Sequence, residues 1–119
     1  MRRKEGALVP LELSILEAAV DLARRGTPEA HGFLLAGEMR DREGARRLTG
    51  YGTLYKALER LEQRGYLDSR WEDPMAAAAD GRPRRRFYRV TVVGETATRE
   101  ALAAKAERTT RRPAAVVGT

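Results

Sequence analysis

Apolar positions recur at helical spacing in several stretches of this chain, and the strongest pattern runs from Gly50 to Arg64. There Leu54, Ala57, Leu58 and Leu61 stand at i, i+3, i+4 and i+7 and form one stripe. Lys56, Glu59 and Gln63 point the opposite way, with Thr53, Arg60 and Arg64 along one edge. Thr49 or Gly50 suits the start of this helix, and Gly65 suits its left-handed stop. Upstream, Leu11, Ile15, Ala19, Leu22 and Ala23 repeat between Pro10 and a stop at Gly26, and Leu16 and Val20 widen that face. So broad an apolar face predicts cover on more than one side, which points to a partner chain. Thr27-Pro28-Glu29 reads as a cap, a first-turn proline and a dipole-matched acid, so a second helix is predicted to start there. Its inner face is Gly32, Leu35, Ala36 and Met39, with Phe33 beside them. A helical Gly32 costs about 1 kcal/mol against alanine, which predicts a close approach by another helix.

The period changes after Gly65. Residues 66–71 mix aromatic and polar positions as a strand does, 72–81 have loop composition with a turn at Asp80-Gly81, and 87–91 read as a second strand. The pair forms a hairpin with a long tip, and five arginines (Arg82, Arg84, Arg85, Arg86 and Arg89) fall at or beside that tip. Thr91 caps a last helix whose stripe is Val93, Ala97, Ala101 and Ala104. An alanine stripe anchors weakly but lets another helix come close. The predicted organisation is a flexible start at 1–7, a body at 8–91, a helix at 92–112 and a tail at 113–119.

Composition narrows the partners. The 119 residues carry a net charge of +6, and a pI near 10.3 favours an anionic partner, nucleic acid before membrane. The absence of cysteine removes disulfides, thiolate catalysis and cysteine-ligated zinc, and it fits a reducing cytoplasm. No run approaches the roughly 18 apolar residues of a membrane span, and the apolar part of MRRKEGALVP is too short for a signal peptide. His31 is the only histidine and is read as a packing or capping residue; no metal site and no cofactor are predicted. Catalysis is the weakest class: there is no nucleophile beside His31, no phosphate-cradling glycine loop and no suggestive carboxylate pair.

The order helix, helix, helix, strand, charged loop, strand, helix is that of a winged helix-turn-helix. The predicted fold is mainly α with a two-stranded β wing, followed by a C-terminal dimerisation helix. Two features then share one surface: the stretch from Gly44 to Leu58, which has no acid but holds Arg46, Arg47 and Lys56, and the arginine-rich tip. Here the sequence resembles the PadR-like transcriptional regulators. Gly52-Thr53-Leu54-Tyr55, Leu58, Arg60-Leu61-Glu62, Gly65 and Leu67 match a GTLYxxLxRLExxGxL signature. Gly81-Arg82-Pro83-Arg84-Arg85, Tyr88-Arg89, Thr91 and Gly94 are similar to GRPRRYYRLTxxG, and His31-Gly32-Phe33 is similar to HGY. Lys56 departs from the proline of many members and lengthens the cationic arm. The resemblance covers roughly residues 8–105. It implies a small-subfamily regulator that dimerises through its first and last helices, and a small planar aromatic effector.

The candidate DNA-binding residues are therefore Thr53, Tyr55, Lys56 and Arg60 on the third helix and Arg82, Arg84, Arg85 and Arg86 on the wing. Thr53 and Lys56 are placed to reach base edges, and Tyr55 and Arg60 to bind phosphate. A cap is the plainer role for Thr53 and half-buried packing for Tyr55. A solvated charge run is the plainer reading of the arginines, but four on one tip repel one another without an anion. Arg89 is read as pairing with Glu62 or Glu72. The dimer is assigned to Leu11, Ile15, Ala19 and Leu22 with Val93, Ala97, Ala101 and Ala104. Trp71 is read as a wing or core residue, with stacking of an aromatic effector as its second reading. The expected function is a dimeric repressor of transcription on double-stranded DNA. The competing reading is a winged helix whose arginines contact an acidic protein.

Overall fold

The computed structural model describes residues 7–44 and 50–111; Arg46, Arg47 and the alternative cap Thr49 lie outside them. Helix α1 (Pro10–Arg24) begins with Pro10, whose missing donor costs nothing in a first turn, and the Val9 N–H donates to Glu12 Oε1 at 3.1 Å. Its Ile15, Leu16, Ala18, Ala19 and Leu22 are buried. The next helix does not start at Thr27 as the cap pattern predicts. Ala30 and His31 instead form a short strand, β1, and α2 spans Gly32–Glu43. Sheet pairing outweighs the local helix signal, because Ala30 and His31 pair with Tyr88 and Phe87. His31 is the cap: its Nδ1 accepts the Leu34 N–H at 3.2 Å.

Helix α3 (Tyr51–Gln63) starts after Gly50 and buries Leu54, Ala57, Leu58 and Leu61, the four residues of the sequence stripe. It stops at Gly65, whose φ is +80°, and two bonds close the turn: Tyr66 N–H to Leu61 C=O at 2.9 Å and Gly65 N–H to Glu62 C=O at 3.0 Å. The chain continues as β2 (Leu67–Trp71), α4 (Pro74–Ala79), β3 (Arg86–Val90) and α5 (Val92–Arg111). Helix α4 lies inside the segment read as loop: Asp73 accepts the Met75 N–H at 3.0 Å, Pro74 takes the first position, and four alanines follow.

Strand β3 is central in an antiparallel sheet of order β1-β3-β2, with Leu67 opposite Val90 and Trp71 opposite Arg86. The two-stranded wing is thus extended by a third strand that ties it to the start of α2. One core joins α1, α2 and α3 to the sheet through residues such as Ile15, Leu35, Leu58, Leu67 and Tyr88. This is a winged helix-turn-helix. Helix α5 is fastened to it at its first turn, where Thr91 Oγ1 donates to Gly65 C=O at 2.6 Å and accepts the Gly94 N–H at 3.0 Å. Among the described residues no helix is long and apolar enough to cross a membrane.

Candidate nucleic-acid interface

The outward side of α3 carries Thr53, Tyr55 and Lys56, all exposed, and its first turn holds no acid. Lys56 has no acidic partner among the described residues. Tyr55 is both a packing and a surface residue. Its ring occupies the space where a side chain on residue 32 would begin, which explains Gly32 at the predicted close approach of α2 and α3, yet 42% of it remains exposed. Arg60 departs from expectation. Its Nε donates to Glu12 Oε2 at 3.0 Å, and Arg64 lies 3.6 Å from the other oxygen. Glu12 is 1% exposed, and a carboxylate so placed needs a cation. Arg60 therefore ties α3 to α1, while its side chain stays half exposed.

The wing arginines divide in the same way. Arg82 donates to both oxygens of Glu72, at 2.6 and 2.8 Å, and to Asp80 at 3.2 Å. Glu72 also accepts the Arg85 N–H at 3.2 Å, while its own N–H donates to the Arg85 C=O at 2.8 Å. The hydrogen bonds from Arg82, with help from Arg85, push the Glu72 carboxyl down to about 2. Arg82 is thus a strut of the wing tip in the free chain. Arg86 is partly committed: Nε donates to Ser69 Oγ at 3.0 Å, and Nη2 lies 3.6 Å from Glu62. Arg84 and Arg86 both pack on the Trp71 ring, at 5.1 and 5.0 Å from its centroid. Trp71 thus carries two guanidinium groups and stays half exposed. The Arg85 side chain makes no hydrogen bond or close ion pair among the described residues, and its charge acts on Glu72. Arg89, read as pairing with Glu62 or Glu72, instead lies opposite Asp68 and acts electrostatically on Glu29.

These groups meet at a cleft of about 580 Å³ between α3 and the wing, lined on one side by Phe33 and Tyr55 and on the other by Trp71, Arg84 and Arg85. His31 lies in the same wall. Burial, and then the fields of Arg85 and Arg82, hold its imidazole below the usual histidine range, as suits an Nδ1 that must accept a hydrogen bond. A second feature escapes sequence reading: Phe33, Tyr51 and Tyr55 form an exposed aromatic group. The Phe33 and Tyr51 rings stack at 5.6 Å and 8°, and Tyr51 lies 6.5 Å from Tyr55. Their only sequence signal is three aromatics at polar positions of two helix starts. Glu72 was legible in principle, since a hairpin register with Trp71 opposite Arg86 sets Glu72 opposite Arg85.

The residues assigned to dimerisation also divide. Ile15, Ala19 and Leu22 are buried in the chain's own core. Leu11, Ala97 and Ala101 are half-buried, while Val93 and Ala104 are exposed. Helix α5 turns Gly94 and Thr98 inward, and every residue from Ala103 to Thr110 is exposed.

The model of the transcriptional regulator PadR-like family matches residues 22–100. No curated protein sequence matches. Among solved structures, the chain is similar to a PadR-like transcriptional regulator from Bacillus cereus, with TM-score 0.68 and 17% identity over 92% of this chain and 93% of that one. It is similar to a transcriptional regulator from Clostridium thermocellum, with TM-score 0.63 and 22% identity over 82% and 83%. A PadR family transcriptional regulator from Eggerthella lenta gives TM-score 0.53 and 24% identity over 87% and 89%. At these identities the structural likeness is one of fold.

Proposed function

Because the chain belongs to the PadR-like family of transcriptional regulators, we propose that it is a dimeric repressor that binds a specific site on double-stranded DNA. The observation that supports this reading is the cleft where Tyr55 of α3 faces Arg84 and Arg85 of the wing, with Lys56 next to Tyr55 on a helix whose first turn holds no acid and with neither Lys56 nor Arg84 in an ion pair among the described residues. Cations that the fold does not consume are available to phosphates. In this reading α3 enters the major groove with Thr53 and Lys56 at base edges, Tyr55 meets the backbone, and Arg84, Arg85 and Arg86 follow the adjacent backbone or minor groove. Two copies joined through α1 and α5 set the spacing of the two α3 helices. A small planar aromatic effector that binds one spacing better than the other releases the DNA through that difference alone.

The test separates positioning from reading. Arg84→Ala and Arg85→Ala should weaken binding to cognate and scrambled duplexes alike and lower the salt slope by about one unit each. Thr53→Ala and Lys56→Ala should cost on the order of 1–3 kcal/mol on the cognate site and less on scrambled DNA. Titrations at two salt concentrations read both effects. Four unchanged affinities overturn the DNA reading in favour of a protein-binding winged helix.

A further inference from the structure

Tyr55 packs over Gly32, but Phe33 and Tyr51 beside it have no core contact that explains their exposure. Phe33 is 66% exposed and Tyr51 44%, and their rings are stacked on each other rather than turned into the core. Soluble proteins leave contiguous aromatic surface uncovered mainly where something docks. The surroundings indicate the occupant. Phe33 and Tyr55 line the same cleft as Arg84 and Arg85, Lys56 follows Tyr55 on the outer side of α3, and α3 has no acid in its first turn. An apolar surface bordered by Lys56, Arg84 and Arg85 fits a polyanion that presents apolar groups of its own. In a DNA major groove the apolar group is the thymine 5-methyl.

We infer that the stacked rings of Phe33 and Tyr51 form an apolar ledge that recognises thymine methyl groups at the margin of the site read by α3. This rests on the proposed DNA binding and adds to it a source of sequence preference that uses no hydrogen bond. It also assigns a contact to α2, the helix that otherwise only supports α3. Because the two rings are stacked, each restricts the other's rotamers, and little conformational entropy is lost when a methyl group is covered.

The experiment uses the full chain. A double-stranded library with a randomised centre is selected for binding, and each thymine of the enriched site is replaced in turn by deoxyuridine, which removes only the methyl group. Wild type should lose about fourfold affinity for each methyl that is covered, at one or two positions per half-site. Phe33→Ala should bind the thymine and deoxyuridine sites equally at those positions, and Phe33→Leu should restore part of the difference. The Arg85→Ala variant should keep the full methyl response while binding more weakly overall. An enriched site with no deoxyuridine-sensitive position, or sensitivity that survives Phe33→Ala and Tyr51→Ala, overturns the ledge and leaves DNA binding intact. Failure to enrich any sequence overturns both. If Phe33→Ala changes the sedimentation of the free protein and leaves the methyl response unchanged, the ledge is a contact between copies of the chain and the inference fails.

Discussion

At the scale of single residues, what decides an arginine's role is whether the fold has already consumed its charge. Arg60 and Lys56 lie one turn apart on α3, yet Arg60 answers the buried Glu12 while Lys56 answers nothing in the described chain. Arg60→Ala should therefore cost about 2–3 kcal/mol of stability, since it leaves a buried carboxylate with only the Val9 N–H and the more distant Arg64. Lys56→Ala should be within about 0.5 kcal/mol of wild type. Urea unfolding of both variants checks this, and Glu12→Gln combined with Arg60→Ala should recover part of the loss as a non-additive term. Equal stability of Arg60→Ala and wild type would mean that Glu12 finds its partner elsewhere. Sequence periodicity placed both residues on the correct helix, but no local pattern marks a bond to a residue 48 positions away.

Among the elements, the wing has its tip gathered on one carboxylate. Glu72 joins the Arg82 side chain to the Arg85 backbone, and its pKa falls from 4.5 to about 2 in the folded chain. The unfolded state therefore binds the proton more tightly, so the stabilisation is complete above about 4.5 and is lost as pH falls towards 2. Trp71, at the neighbouring position and packed under Arg84 and Arg86, should report this as a fluorescence change in that window. Glu72→Gln, which keeps an acceptor but no charge, should abolish the acid step; a transition unchanged in that variant places its origin outside the wing. Helices α1 and α3 were legible because their apolar stripes are four or more residues long and face the core, whereas the stripe read on α5 is half-buried or exposed and Gly94 and Thr98 turn inward in its place. Strand β1 was not, because two residues carry no period and only Tyr88 and Phe87, far along the chain, make them a strand. Helix α4 left a readable trace in Asp73-Pro74 and the alanines, masked by proline and by the turn at Asp80-Gly81. The cleft itself was legible as two charged stretches, but which arginines would remain unpaired depended on Glu12, Glu72 and Glu62.

For the whole molecule, α5 is the element least accounted for by one chain. It is fastened at Thr91 and Gly94, but every residue from Ala103 to Thr110 is exposed, and a helix without a packed face is marginal in water. A second copy supplies that face if α5 meets α1 and α5 of its partner, with Val93, Ala97, Ala101, Ala104 and Leu11 at the contact. Sedimentation at micromolar concentration should then show a dimer, Ala97→Glu should shift it towards monomer, and removal of all residues after Val92 should leave a chain that aggregates. A well-folded monomer in the full chain or the truncation rules the dimer out. The sheet order bears on how the protein is made. The central strand, β3, is the last of the three to be synthesised, and both of its neighbours wait for it. While the ribosome is still extending the chain, the three helices can collapse, but β1 and β2 have no ladder partner until residue 90 has emerged. The arginines that face the cleft are built into the same late segment, so a product stalled before residue 90 lacks the complete wing and the cleft it forms with Tyr55.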